Sequence, residues 1–409
     1  MTFSLANDYS EGAHPRILRA LSAVNTQQFP GYGSDALCSG AAHAIQNAIG
    51  VPEASVYFLT GGTQTNRTVI SSLLHPYEGV LSAQSGHIST HEAGAIENSG
   101  HKVIPLPAPD GKLSAAIVRS YLEDFYSDAN HAHMVKPGMV YISHPTEYGT
   151  LYSHEELEQL HAVTQRYGIP LYCDGARLAY GLAAAGTDVH LPDLARLCDV
   201  FYIGGTKCGA LFGEAVVFCT IPTPAGFTTH VKMNGALLAK GWLLGVQFSE
   251  LFSRDGGAAD GSAASLNGEA DDCAAPLDSE ANDGEAFETS LDGAHPLDCS
   301  DHSDYTAVSE PAVSESATLY EQLGRHANQL AATIREALRQ NGYREYFSNP
   351  TNQVFFELTR NQYAALSAFV DLSFWENIDA ERVLVRACTS WATPAEHVGE
   401  FCRLLGDHS

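Results

Sequence analysis

Between residues 55 and 220 the chain alternates between two hydrophobic periods, and this alternation restricts the possible folds more than any other feature. Short apolar runs recur at 55–59 (SVYFL), 139–143 (MVYIS), 169–173 (IPLYC), 200–203 (VFYI) and 215–219 (AVVFC). They are too apolar for half-exposed strands and too short for helices, so they read as buried, mostly parallel strands. Helical text lies between them. Its clearest stretch opens with a capping box at Ser153 and Glu156, continues with Leu157, Leu160, Val163 and Tyr167 at helical spacing, and closes at Gly168. Buried strands alternating with helices imply a large α/β/α domain with a mainly parallel sheet, its loops gathered at the carboxyl ends of the strands.

The pattern stops near residue 254. From 255 to 315 there are sixteen Asp and Glu, no Lys or Arg, few large apolar residues and no periodicity. Such a composition buries too little surface to offset chain entropy, so 254–316 is expected to be a disordered acidic insertion of low complexity. Order resumes with Leu319, Leu323, Leu330, Ile334 and Leu338, an amphipathic helix ending near Gly342, followed by strands at 353–358 and 382–385. The segment 241–252 reads as the long helix joining two domains. The expected organisation is an N-terminal segment 1–45 packing at the active site, a large domain 46–253, the insertion 254–316, and a small α+β C-terminal domain 317–409.

Composition excludes some functions. A formal charge of −26 disfavours nucleic acid and anionic membrane surfaces as partners. No apolar run is long enough to span a bilayer, and the first residues lack the basic and apolar regions of a signal peptide. The nine cysteines are scattered and form no CxxC pair, so they read as reduced thiols of a cytoplasmic protein. The eighteen histidines show no ligand spacing, and no metal site is expected.

Two neighbouring strand ends carry complementary groups. One run is followed by Asp174-Gly175-Ala176-Arg177, the next by Gly204-Gly205-Thr206-Lys207. A pyridine cofactor needs both: a carboxylate to keep its ring nitrogen protonated, and a lysine to form an imine. Alone, a strand-end Asp is commonly a helix cap, and a lysine after two glycines is commonly solvated. A third element is Thr60-Gly61-Gly62-Thr63-Gln64-Thr65-Asn66, a Gly-rich turn opening a helix, which offers backbone N–H groups and a favourable dipole to an anion. A fourth is Gly86-His87, whose ring suits stacking on the pyridine plane. Together they point to pyridoxal phosphate (PLP), held as a Schiff base on Lys207.

With these residues in place the chain resembles the threonine aldolase / aromatic amino acid β-eliminating lyase family of fold-type-I PLP enzymes, nearest its low-specificity L-threonine aldolase-like branch. The resemblance rests on Asn7-Asp8-Tyr9 with His14-Pro15, Tyr32-Gly33-Ser34-Asp35, residues 61–66, Asp174 to Arg177, Gly204 to Lys207, and Arg386-Ala-Cys-Thr-Ser-Trp391. It implies that Gly62 and Thr63 hold the cofactor phosphate with help from Thr206, that His87 stacks on the ring, and that Asp174 meets the ring nitrogen. It places Arg177 near the phenolic oxygen and the substrate carboxylate, and it puts on that carboxylate Arg386, whose planar fork matches such a group bidentately. It also implies substrate contacts from Asn7 and Tyr32, and a homodimer or homotetramer whose subunits share sites. Two positions depart from the family pattern: Asn7 replaces a serine, and Glu147, in Thr146-Glu147-Tyr148-Gly149, replaces a histidine beside the substrate's β-hydroxyl.

The resemblance implies a cytoplasmic carbon–carbon lyase acting on a small amino acid. L-threonine or L-allo-threonine would give glycine and acetaldehyde, with Glu147 as a candidate base. β-Elimination or transamination on the same scaffold, and a PLP-fold protein without turnover, are the alternatives.

Overall fold

The structure is a computed structural model describing residues 2–254 and 317–408. Apart from Arg254, the stretch expected to be an acidic insertion lies outside the described residues. The strands in chain order are β1 (Phe3–Ser4), β2 (Ser55–Leu59), β3 (Glu78–Ala83), β4 (Lys102–Leu106), β5 (Lys136–Ser143), β6 (Leu171–Asp174), β7 (Val200–Gly204), β8 (Glu214–Phe218), β9 (Gln353–Thr359), β10 (Val370–Asp371), β11 (Ser373–Asn377) and β12 (Arg382–Cys388).

Seven strands form one sheet in the order β2-β8-β7-β6-β5-β3-β4. The pairs from β7 through β4 are parallel, and β8 runs antiparallel to both of its neighbours. The expected buried, mainly parallel sheet is present, and β3 and β4 add two strands that the apolar runs did not reveal. Apolar clusters cover the two faces: one includes Ile142, Cys173, Phe201 and Val217, the other Tyr141, Tyr172, Tyr202 and Val216. These alternate along the strands, as a sheet covered on both faces requires. The helix His154–Tyr167 has the expected capping box at Ser153 and Glu156 and the left-handed Gly168 cap.

Among the described C-terminal residues, β11-β12-β9 form an antiparallel sheet, and β1 pairs with β10. The amphipathic helix expected after residue 319 is Leu319–Gln340. Leu319, Tyr320, Leu323 and Ala327 of its first half join the cluster beneath the large sheet. Ala331, Ile334 and Leu338 of its second half join the cluster around β9 and β12. It therefore belongs to both cores. The segment 241–252 was expected to play that part, but it forms the ten-residue helix Trp242–Leu251. Gly245 there packs so closely on Cys38 that a Cβ would lie 2.6 Å from the Cys38 backbone nitrogen. The Leu319–Gln340 helix starts at a Thr318–Glu321 capping box, where Thr318 bridges Arg254 and the Leu319 N–H donates to Ser253 O at 3.1 Å.

Close backbone approach brings the chemistry-bearing strand ends together. A Cβ on Gly175 would lie 2.0 Å from Tyr202 O, and one on Gly204 2.4 Å from Ala176 O. The Gly204 N–H donates to Gly175 O at 3.0 Å. Both glycines are needed for space. Gly175→Ala is expected to lower stability by about 1–3 kcal/mol or more, as overpacking does, and urea denaturation would measure it. A change within error would show that the loop can separate from β7 at no cost.

Candidate active site

Parallel strands place their carboxyl ends along one edge, and each expected large-sheet group follows such an end. Residues 61–63 follow β2, His87 follows β3, Glu147 follows β5, Asp174 ends β6, and Thr206 and Lys207 follow β7. Arg386 comes from β12.

Asp174 is buried and fully engaged. Tyr141 and Tyr202 donate their hydroxyls to its two oxygens at 2.6 Å, Asn66 Nδ2 donates at 2.9 Å, and the Ala176 N–H at 3.0 Å. Burial alone would raise its pKa, but the His87 charge and these donated bonds hold it below the ordinary carboxylate value. It is therefore a fixed anion. Asn66 accepts from Tyr172 Oη at 2.8 Å, which orients its amide to donate to both Asp174 and Glu92. Glu92 in turn meets His87 Nδ1 at 2.8 Å. A continuous chain of contacts thus links Asp174 to the His87 ring.

Lys207 Nζ lies 6.0 Å from the Tyr9 ring centroid and makes no hydrogen bond recorded among the described residues. Burial lowers its pKa, and Arg177 lowers it further, against Asp8, Asp174 and Glu214. A depressed pKa raises the share of free amine, the nucleophilic form. Glu214, at the start of β8, is itself pushed up to about 8 by burial. It accepts from the Thr206 hydroxyl at 2.7 Å and the Gly205 N–H at 3.1 Å. The Thr206 hydroxyl is thereby used inside the loop, where the resemblance had it helping a phosphate.

The helix Gly62–Leu73 starts at Gly61 with no side-chain cap. The first N–H groups of a helix, here those of Gly62 and Thr63, have no acceptor within the helix and are available to an anion. Arg177 was expected beside the substrate carboxylate, yet Asp8 takes its fork at 2.7 and 2.9 Å. Asn352 also donates to Asp8 at 2.9 Å. Arg386 donates to Gln353 Oε1 at 2.9 Å and Ala6 O at 3.1 Å, lies 5.4 Å from the Trp375 ring centroid, and leaves its buried Nε without a partner. That leaves part of the Arg386 fork for a ligand.

The remaining expected residues lie differently. Asn7 Oδ1 accepts from the Tyr9 N–H at 3.0 Å and Ser10 Oγ at 2.9 Å, so it closes its own turn. Tyr32 is exposed beneath Lys232, whose Nζ lies 4.8 Å from its ring centroid. No contact recorded among the described residues joins it to the strand-end cluster. Sequence reasoning missed Asp8, Asn66, Glu92, Tyr141, Tyr202 and Glu214 as members of the site. A tyrosine inside a buried apolar run was a usable signal, because its hydroxyl must find a partner there.

Residues 8–238 match the family described as beta-eliminating lyase. A low specificity L-threonine aldolase of Pseudomonas sp. (strain NCIMB 10558) is 31% identical over 238 residues, which is 58% of this chain and 67% of that protein. The structure of a Leishmania major threonine aldolase superposes with a TM-score of 0.81 at 36% identity, covering 99% of each chain. An aspartate aminotransferase of Thermus thermophilus shares the fold, with a TM-score of 0.62 at 12% identity over 100% of this chain and 92% of the other.

Proposed function

The chain belongs to the beta-eliminating lyase family, and on that premise we propose that it splits L-threonine and L-allo-threonine into glycine and acetaldehyde with PLP as its cofactor. Similarity to threonine aldolases in sequence and in structure supports this reading. The observation that carries it is one edge of one sheet bearing a fixed buried carboxylate, an amine of lowered pKa with no hydrogen-bond partner recorded among the described residues, and an uncapped helix start.

These groups fit PLP. Lys207 would hold the cofactor covalently as a Schiff base, Asp174 would keep its ring nitrogen protonated, and the N–H groups of Gly62 and Thr63 would take its phosphate. His87, tied to Asp174 through Glu92 and Asn66, would cover the ring. When bound, the cofactor supplies an electron sink for the pair released at the substrate α-carbon. Arg386 seats the substrate carboxylate through the part of its fork not used by Gln353 and Ala6. Asp8 locks Arg177, whose positive charge near Lys207 adds to burial in lowering the pKa of the amine. Glu147 accepts the His87 N–H at 2.8 Å and the Ser143 hydroxyl at 2.7 Å, and so fixes the start of the helix His87–Thr90.

Purified protein supplied with PLP and L-threonine is expected to release acetaldehyde and glycine in equal amounts, read with an NADH-coupled dehydrogenase. Pyruvate and ammonia from serine, with no aldehyde from any β-hydroxy amino acid, would replace the proposal with β-elimination. Assembly as a homodimer or homotetramer and a cytoplasmic location belong to the same proposal, supported by the family resemblance. Among the described residues no helix is long and apolar enough to cross a membrane.

A further inference from the structure

Carbon–carbon cleavage of a β-hydroxy amino acid needs a group to take the hydroxyl proton. Glu147, the carboxylate that sequence places there, is already committed: one of its oxygens accepts both the His87 N–H and the Ser143 hydroxyl. Another basic group stands closer to solvent. His91 ends the short helix His87–Thr90, and its backbone N–H donates to His87 O at 2.9 Å. Its ring centroid lies 5.9 Å from that of His87, with the planes inclined at 50°. On its other side the Trp375 ring is 6.4 Å away, and Trp375 in turn sits 5.4 Å from the Arg386 guanidinium. His91 thus stands between the ring assigned to cover the cofactor and the aromatic that seats the carboxylate clamp. It is exposed, and no side-chain hydrogen bond recorded among the described residues uses its ring nitrogens.

We infer that His91 is the base that accepts the β-hydroxyl proton and thereby selects substrates that carry one. The inference rests on the aldol-cleavage reading above. An imidazole nitrogen takes the O–H proton, and the oxygen electron pair becomes the second bond of the aldehyde. The Cα–Cβ bond breaks with its electrons staying on the α-carbon side. A proton returned to that carbon completes glycine, so the two products together contain every atom of the substrate.

The surrounding charges favour the neutral ring. Partial desolvation of the ring, then His87 on its own helix, then Arg386 from β12 and Lys207 after β7 hold the His91 pKa below its ordinary 6.5. Trp375, from β11, brings no charge, and the adjacent Glu92 turns its carboxylate to His87 and Asn66. A neutral imidazole is the form that accepts a proton. Cleavage should therefore fall as pH drops through a value below 6.5.

His91→Asn is the direct test. Its kcat for L-threonine is expected to fall by on the order of 10²-fold or more, and the acid limb should vanish from the pH profile. Glycine affinity, read from the holoenzyme spectrum, should stay at the wild-type value. Glu147→Gln should lower the rate yet keep the limb. A readout independent of turnover is histidine NMR on the cofactor-free protein, where the ring signal missing from the variant should titrate below 6.5 in the wild type. A variant that cleaves at the wild-type rate with its acid limb intact, or a ring that titrates at the ordinary value or above, overturns the inference and leaves the aldol reading standing. Wild-type protein that releases no aldehyde from any β-hydroxy amino acid overturns both.

Discussion

Lys207→Ala is expected to cut aldehyde release by at least on the order of 10³-fold, because it removes the nucleophile proposed to join cofactor and protein. The variant should also lose its cofactor on dialysis, where the wild type keeps it. The fold should not suffer. Lys207 Nζ has no hydrogen-bonded partner recorded among the described residues, so its removal orphans no acceptor. The folded-state pKa of this lysine is depressed, chiefly by burial and then by Arg177. A lysine in that position opposes folding wherever it is charged in the unfolded chain, so stability without cofactor rises with pH from the depressed value up to the ordinary 10.5. Removing it should leave the cofactor-free melting temperature unchanged or higher at neutral pH, by the trade between activity and stability common at functional sites. A Lys207→Ala protein that retains both cofactor and aldehyde release would show that another amine does this work.

Asp174 is the opposite case, since there the proposed function and the stability would both depend on one carboxylate. Asp174→Ala leaves Tyr141, Tyr202 and Asn66 as buried donors without their acceptor. Each such orphan costs about 1–3 kcal/mol, so a loss of at least about 3 kcal/mol is expected in urea denaturation. Asp174→Asn keeps the volume and one acceptor, so it should lose less stability while activity falls by on the order of 10²-fold or more in both variants. The sign with pH follows from the lowered folded-state pKa. The stability Asp174 contributes is present above the ordinary carboxylate pKa and is lost as pH falls through the depressed one. Wild-type turnover by Asp174→Asn would remove the ring-nitrogen role.

The sheet was legible where apolar runs were continuous and obscured where they were not. β3 reads EGVLSA, in which Glu78 and Ser82 break the run, although the whole strand is buried. β4 reads KVIPL, and its Pro105 argues against a central strand. It is an edge strand, which tolerates proline. At the candidate site, the placement of Asp174 and Lys207 at strand ends was readable because each closely follows a buried apolar run. The polar network beneath them was not, because it joins side chains distant in sequence: Asn66 meets Asp174, and Asp8 meets Arg177. Periodicity carries no information about such pairs. The clamp assigned jointly to Arg177 and Arg386 also divides, since Asp8 occupies the first, while Gln353 and Ala6 take only part of the second. The 241–252 segment was misread because an apolar helix before an acidic stretch looks like a connector. Burial of both halves of Leu319–Gln340 shows which helix ties the cores.

The bridge between Arg254 and Thr318, with Leu319 bonded to Ser253, holds the two ends of the acidic stretch side by side. For chain that leaves and re-enters a fold at one point, the entropy of closing the ring grows with the logarithm of its length, about 0.6 kcal/mol per doubling. Two positions held this close would therefore feel a change in the number of residues between them only through that slow logarithm.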